Sequence, residues 1–417
     1  MKRALVAALI ALAAPAFAQD APPEASPSAA AQVRFPQLTN EIDMALIGVG
    51  TPSSTDPTRR GGSVFLFGDI DFALALTENF SIQLGLATEP IGEGDSTGGF
   101  PDGGIIGFRR QALFIEQFHA EWKPDPDLAL RAGTFVAPFG RGYHDFPGIL
   151  VPVRAHEAYL FNQLLGVNSS WTWLDDPRFG THEVTGFVYA LDRSFLSTTL
   201  ITPRSCCNPR YERYSRNTAR QGGPGNDGSF DSFALALDGE NIPGLEGFSY
   251  HFAVLSQAPG TDGTAREWGY AASLFYDHRW NAEQSTMLFA EGVQFRNAGG
   301  RPRIEVPTTS TDPATGTAID SMTSTTLSER QTFFTIGVRH SIGPWRASLA
   351  WQQWQRKRSI EPVPNENWIE VSVGRDLGRG FGIDLGYQYA RQLTEEGPQL
   401  GTSHSILARL VYRGSLF

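Results

Sequence analysis

The sequence is poor in the residues on which several functional classes depend. It has only two cysteines, adjacent at Cys206 and Cys207, three lysines and four methionines among 417 residues. Two neighbouring cysteines with no His or further Cys close by do not make a spaced ligand set. No metal and no cofactor are therefore expected, and the pair is either an incidental loop feature or a vicinal disulfide. The longest clean apolar stretch runs only from Ala4 to Ala18. A membrane-spanning helix needs about 18–20 such residues, so helical channels, transporters and receptors are excluded. Catalytic signatures are also missing. His251, His278, His340 and His404 stand singly, with no G-x-S-x-G or H-E-x-x-H around them, and no catalytic residue is assigned.

The apolar stretch has a different use. Lys2 and Arg3 precede it and Ala16-Phe17-Ala18 closes it, the pattern of a cleaved secretory signal peptide over residues 1–18. Residues 19–39 begin QDAPPEASPSAAAQ, a Pro/Ala/Ser-rich stretch without apolar period, and are expected to form a flexible periplasmic leader. The formal net charge of −10 argues against nucleic acid as a partner.

From Asn40 onward the dominant pattern has period two. Phe80, Ile82, Leu84 and Leu86 alternate with small or polar residues, as do Phe248, Tyr250, Phe252 and Val254, and Phe381, Ile383, Leu385, Tyr387 and Tyr389. This alternation marks half-buried strands. About sixteen such runs follow one another, and short links such as Thr77–Asn79 and Ile342–Pro344 alternate with long Gly/Pro/Ser/Thr-rich ones. Residues 40–417 are thus expected to form an all-β, transmembrane antiparallel β-barrel of about 16 strands, with short periplasmic turns and long extracellular loops, in the bacterial outer membrane. Inside a bilayer every backbone polar group needs a partner, so the sheet must close. Trp122, Trp171, Trp173 and Trp345 sit beside short links and would form the periplasmic aromatic girdle. The final strand ends in Phe417, a terminal aromatic of the kind that barrel assembly recognises. Strict alternation from Ile406, Ala408, Leu410 and Tyr412 puts it on the other face unless a bulge near Gly414 restores the frame.

The barrel frame turns Asp69, Asp71, His119, Glu121, Arg131, Arg346, Arg356, Glu370 and Asp384 toward the lumen as pore-lining residues. Acids cluster early and arginines late, which suggests opposite walls of opposite charge. Glu116, Glu291 and Glu329 break the alternation and are left unassigned. The third long link, Ala137 to Leu164, is apolar for a surface loop and carries Arg141, His144, Asp145, Arg154, His156 and Glu157 beside Phe139, Phe146 and Ile149. Folding it into the lumen would bury these groups, so it is expected to be a constriction loop. Arg204, Arg210, Arg213, Arg216 and Arg220 concentrate in the next long link, which points to lipopolysaccharide phosphates or anionic solutes.

The run HAEWKPDPDLALRAGTFVAPFGRG, His119–Gly142, resembles the strand–turn–strand segment of porins of the phosphate-selective type, with Glu121, Arg131, Gly133, Pro138 and Phe139 at the matching positions. That resemblance implies a 16-stranded trimeric diffusion channel, and hence a homotrimer. The basic ladders of its anion-selective members are not clearly repeated here. The expected function is passive diffusion of small polar or ionic solutes, with outer-membrane lipid and lipopolysaccharide as surroundings. The rival is a structural or adhesive barrel without an open pore.

Overall fold

The computed structural model describes residues 34–90, 104–108, 111–201, 223–261, 265–300, 303–311, 318–394 and 397–416. The signal segment, most of the leader, Cys206, Cys207, the arginines of residues 204–220 and Phe417 lie outside the described residues. No helix among the described residues is long and apolar enough to cross a membrane.

Sixteen long strands form the wall. They are β1 (Gln37–Ser54), β2 (Gly61–Thr77), β3 (Phe80–Pro90), β4 (Gln111–Asp125), β5 (Leu128–Phe135), β6 (Leu164–Asp176), β7 (Gly180–Leu191) and β8 (Ser232–Glu240). They continue as β9 (Phe248–Gln257), β10 (Glu267–Asn281), β11 (Gln284–Arg296), β12 (Glu329–Ile342), β13 (Trp345–Arg358), β14 (Glu366–Gly378), β15 (Phe381–Thr394) and β16 (Gly397–Gly414). Each pairs antiparallel with the next, as in Ile42↔Ile70, Trp268↔Arg296 and Ser348↔Ser372. Closure comes from β16 against β1, with Leu46 opposite Leu410. The sheet therefore has no free edge, as a lipid environment demands. β1 begins at Gln37, inside the stretch expected to be leader.

Alternation assigns the two faces. Leu274, Ile336, Leu349, Leu385 and Ile406 are exposed on the outside, while their neighbours Ser273, Phe275, Thr335, Ala350, Asp384 and Leu407 are buried. Trp122, Trp171, Trp173 and Trp345 are exposed beside short links. The tightest links are two-residue hairpins, and at Arg379-Gly380 both residues have positive φ (54° and 82°), the backbone that matches strand twist. Gly133 has φ 145°, and a Cβ there would lie 2.3 Å from the Phe118 carbonyl oxygen. Only glycine fits this R-x-G position.

Two departures from simple alternation have local causes. β4 bulges between its pairings Gly85↔Gln117 and Leu86↔Ile115, so Glu116 has no cross-strand partner. One extra residue reverses the frame, which explains why Glu116 broke the pattern. Upstream of this bulge, Gln111 spans the gap to β2 and bonds both the amide and the carbonyl of Leu66. The second departure is a missing neighbour. β5 leaves the wall after Phe135, and the short strand Thr199–Ile201 pairs with Leu113 and Phe114 of β4.

The inner wall is less polar than alternation alone implies. Phe187, Tyr189, Leu255, Phe275, Phe289, Val293, Phe295 and Phe333 join one buried cluster with Phe139, Phe146, Val151, Tyr159 and Phe161 of the third long link. Large apolar groups on the inner face have their partner there.

Candidate functional site

The link between β5 and β6 contains two helices, α1 (Gly142–Asp145) and α2 (Val151–Tyr159). Pro152 stands in the first turn of α2, where its missing N–H costs nothing. The segment bonds to inward-facing side chains from many strands. Glu291 of β11 accepts the amides of Arg141 (2.7 Å) and Gly142 (3.1 Å), together with the hydroxyls of Tyr159 and Ser273. Glu370 of β14 accepts the amides of Ile149 (2.5 Å) and Leu150 (3.0 Å). His251 of β9 accepts the Gly140 amide through Nε2 at 3.2 Å, and its Nδ1 lies 2.9 Å from Asp238. Since Nε2 accepts, the ring proton sits on Nδ1 and is donated to the carboxylate. Gly140 has φ 78°, and a Cβ would press on the Tyr159 ring.

Arg154 is buried. It donates to Gln352 (3.0 Å) and Gln388 (3.2 Å), and its guanidinium lies 4.4 Å from the centre of the Trp368 ring. This expected constriction residue is thus an anchor of the segment. Arg141 pairs with Asp145 at 2.5 Å, and His156 sits 3.5 Å from Glu89. Glu157 is half-buried on α2.

The expected pore-lining residues separate into groups. Arg131 bonds Glu121 at 2.7 Å and reaches Asn168 and Ser170. His119 is buried, its ring 4.6 Å from that of Phe135. Asp384 accepts from both Arg346 and Arg409. Arg356 pairs with Glu366 at 2.6 Å, and Arg358 with Glu329 at 2.8 Å. Asp71 accepts from Gln117, and Asp69 stands opposite Asp43 in the register. Glu370 is covered by the segment it holds.

Closure corrects the expected charge layout. The acids of β1 and β2 and the arginines of β13 and β16 do not occupy opposite walls. β16 adjoins β1, and Arg413 bonds Asp43 at 2.9 Å. Separation in sequence is not separation around a closed ring. A polar cavity of about 500 Å³ lies between His144–Gly148 of the inner segment and wall residues that include Arg339, Arg346, Asp376, Arg379, Asp384, Arg409 and Arg413.

Sequence reasoning left Glu291 unassigned and missed its hydrogen bonds and those of His251. The one available signal was a lone acid at an otherwise apolar stretch of β11.

The titratable groups of the inner segment respond to burial. It pushes His156 from 6.5 down to about 4 despite the nearby Glu89, and lowers His144, with His156 adding to the effect. Tyr159 is raised well above its ordinary value by burial and by Glu291, and remains a donor. His156 is therefore neutral when seated and takes up a proton when released below about pH 6.5. The seating energy it contributes is complete above that pH and is lost as pH falls toward 4. The full linkage is on the order of 3 kcal/mol. Lowering the pH from 7 to 4.5 is expected to increase proteolytic cleavage within 140–160 of the folded barrel. In His156→Gln the acid-induced increase should shrink; an equal increase in both proteins would contradict this role.

No family model matches the chain, and no curated protein matches it. Solved structures do share its fold. The outer membrane channel DcaP of Acinetobacter baumannii aligns with a TM-score of 0.54 at 8% identity, covering 90% of this chain and 97% of that one. Salmonella typhi OmpF, in a complex with daunomycin, aligns with a TM-score of 0.53 at 10% identity, covering 91% and 98%. Identities this low establish architecture alone: the chain is a closed 16-strand antiparallel barrel of the kind found in the bacterial outer membrane.

Proposed function

We propose that the protein is an outer-membrane porin, permitting passive diffusion of small polar or ionic solutes, with Ala137–Leu164 narrowing the lumen. The observation that carries this reading is the attachment of that segment to inward-facing Glu291, His251, Gln352 and Glu370. A loop held inside a cylinder reduces its free cross-section. The residues left to line the passage are the Arg346–Asp384–Arg409 cluster, with Arg413 and Asp43 beside it, and Asp69 and Asp71 along the adjoining wall. Charged walls favour polar solutes and disfavour apolar ones. The basic stretch of residues 204–220 is assigned to lipopolysaccharide phosphates or anionic solutes, and a homotrimer is the proposed assembly.

Liposome swelling tests the reading. Proteoliposomes should swell in small sugars and amino acids, at rates that fall with solute size. A correctly folded barrel giving no swelling above empty liposomes would favour the structural or adhesive alternative.

A further inference from the structure

The outer face of β10–β12 carries a row of polar groups where a lipid-facing wall meets its short turns. His278, Thr286 and His340 occupy one register row across these three strands. The Trp280 indole donates to the Thr286 hydroxyl at 2.8 Å, and that hydroxyl lies 2.8 Å from His340 Nδ1. Because indole is only a donor, the threonine proton is free to go to Nδ1. His340 then carries its own proton on Nε2. His278 Nδ1 lies 3.3 Å from the Tyr276 hydroxyl, which can donate to it and leave the ring proton on Nε2. Neither Nε2 has a hydrogen bond among the described residues. Asp277, Arg279 and Arg339, the adjacent charged residues, alternate onto the inner face.

Directly above this row is an apolar groove of about 620 Å³, lined by Leu274, Leu288, Ile336, Val338 and Leu349 among others. Leu288 and Val338 are two residues along from Thr286 and His340 on the same face. An apolar trough ending in two outward N–H donors at the periplasmic rim matches the two parts of a phospholipid.

We infer that this face binds one phospholipid of the periplasmic leaflet, its acyl chains in the groove and its phosphate on Nε2 of His278 and His340. The inference rests on the chain spanning a bilayer and is independent of whether the pore is open. The phosphate oxygens accept both N–H groups, and bonds to a charged acceptor are the stronger kind. Trp280, already bonded to Thr286, holds the row in place.

Native mass spectrometry of the full barrel released from detergent tests this, with phosphatidylglycerol and a diacylglycerol of the same chains as probes. The wild type should retain one phosphatidylglycerol and little diacylglycerol, a comparison that needs no variant. His278→Ala with His340→Ala should weaken phosphatidylglycerol retention on the order of tenfold. Ala290→Trp, which fills the groove, should weaken it too. Equal retention of the two lipids, or unchanged retention in the folded double-histidine variant, would overturn the inference.

Discussion

Replacing Phe139, Phe146 and Phe161 together by serine is expected to raise single-channel conductance severalfold, because the inner segment will leave its seat. The magnitudes show why these residues decide the matter. Phe139, Phe146, Ile149, Leu150, Val151, Tyr159 and Phe161 are all buried, and each large side chain contributes about 1.5–3 kcal/mol. Charge-assisted hydrogen bonds to Glu291 and Glu370 contribute about 1.5–3 kcal/mol apiece, and there are fewer of them. Truncating a buried Phe also leaves a cavity and costs about 3–5 kcal/mol, whereas segment amides freed from Glu291 and Glu370 can bond water instead. The phenylalanine triple is therefore expected to have the larger effect. Glu291→Ala with Glu370→Ala should leave mean conductance nearly unchanged and add rapid current fluctuations, as the backbone amides of Arg141, Gly142, Ile149 and Leu150 lose their acceptors. If the glutamate pair opened the channel more than the phenylalanine triple, polar anchoring would dominate and the comparison would fail.

The second large effect concerns charge. Asp384 is buried between Arg346 and Arg409, with contacts of 2.8 Å to each. Asp384→Asn leaves two guanidinium groups facing each other without their shared carboxylate. Removing one partner of a buried ion pair costs about 3–5 kcal/mol, so the unfolding midpoint in urea should fall markedly. The cavity also gains a net positive charge, and the reversal potential in a salt gradient should move toward anion preference. Arg346→Gln would leave Asp384 paired with Arg409, so it should lower stability less, and it should move the reversal potential the other way, toward cation preference. A variant as stable and as selective as the wild type would show that this cluster lies away from the conducting path.

Much of the architecture was legible in the sequence because barrel physics writes a simple code. A closed wall between lipid and water forces alternation, and Phe248–Val254 and Phe381–Tyr389 display it with apolar side chains outward. Link lengths gave the strand count. The unusual apolarity of Ala137–Leu164 pointed to the segment that turns out to bond Glu291 and Glu370.

Other features were hidden for physical reasons. A bulge at Glu116 adds one residue and reverses the frame, and no local composition signals it. Phe289 and Phe295 look like lipid-facing residues until the inner segment is known to pack against them. Glu291 looks misplaced in that apolar stretch until its four donors are seen. Arg413 and Asp43 lie at opposite ends of the chain, and only ring closure makes them neighbours. The basic stretch of residues 204–220 and the paired cysteines lie outside the described residues.

Planar-bilayer recording of the purified, full-length barrel tests the central claim most directly. A water-filled passage through a single closed wall predicts discrete current steps of uniform size that persist at low voltage. A correctly folded preparation that inserts but gives no steps would contradict the pore, whatever its structural likeness to known channels.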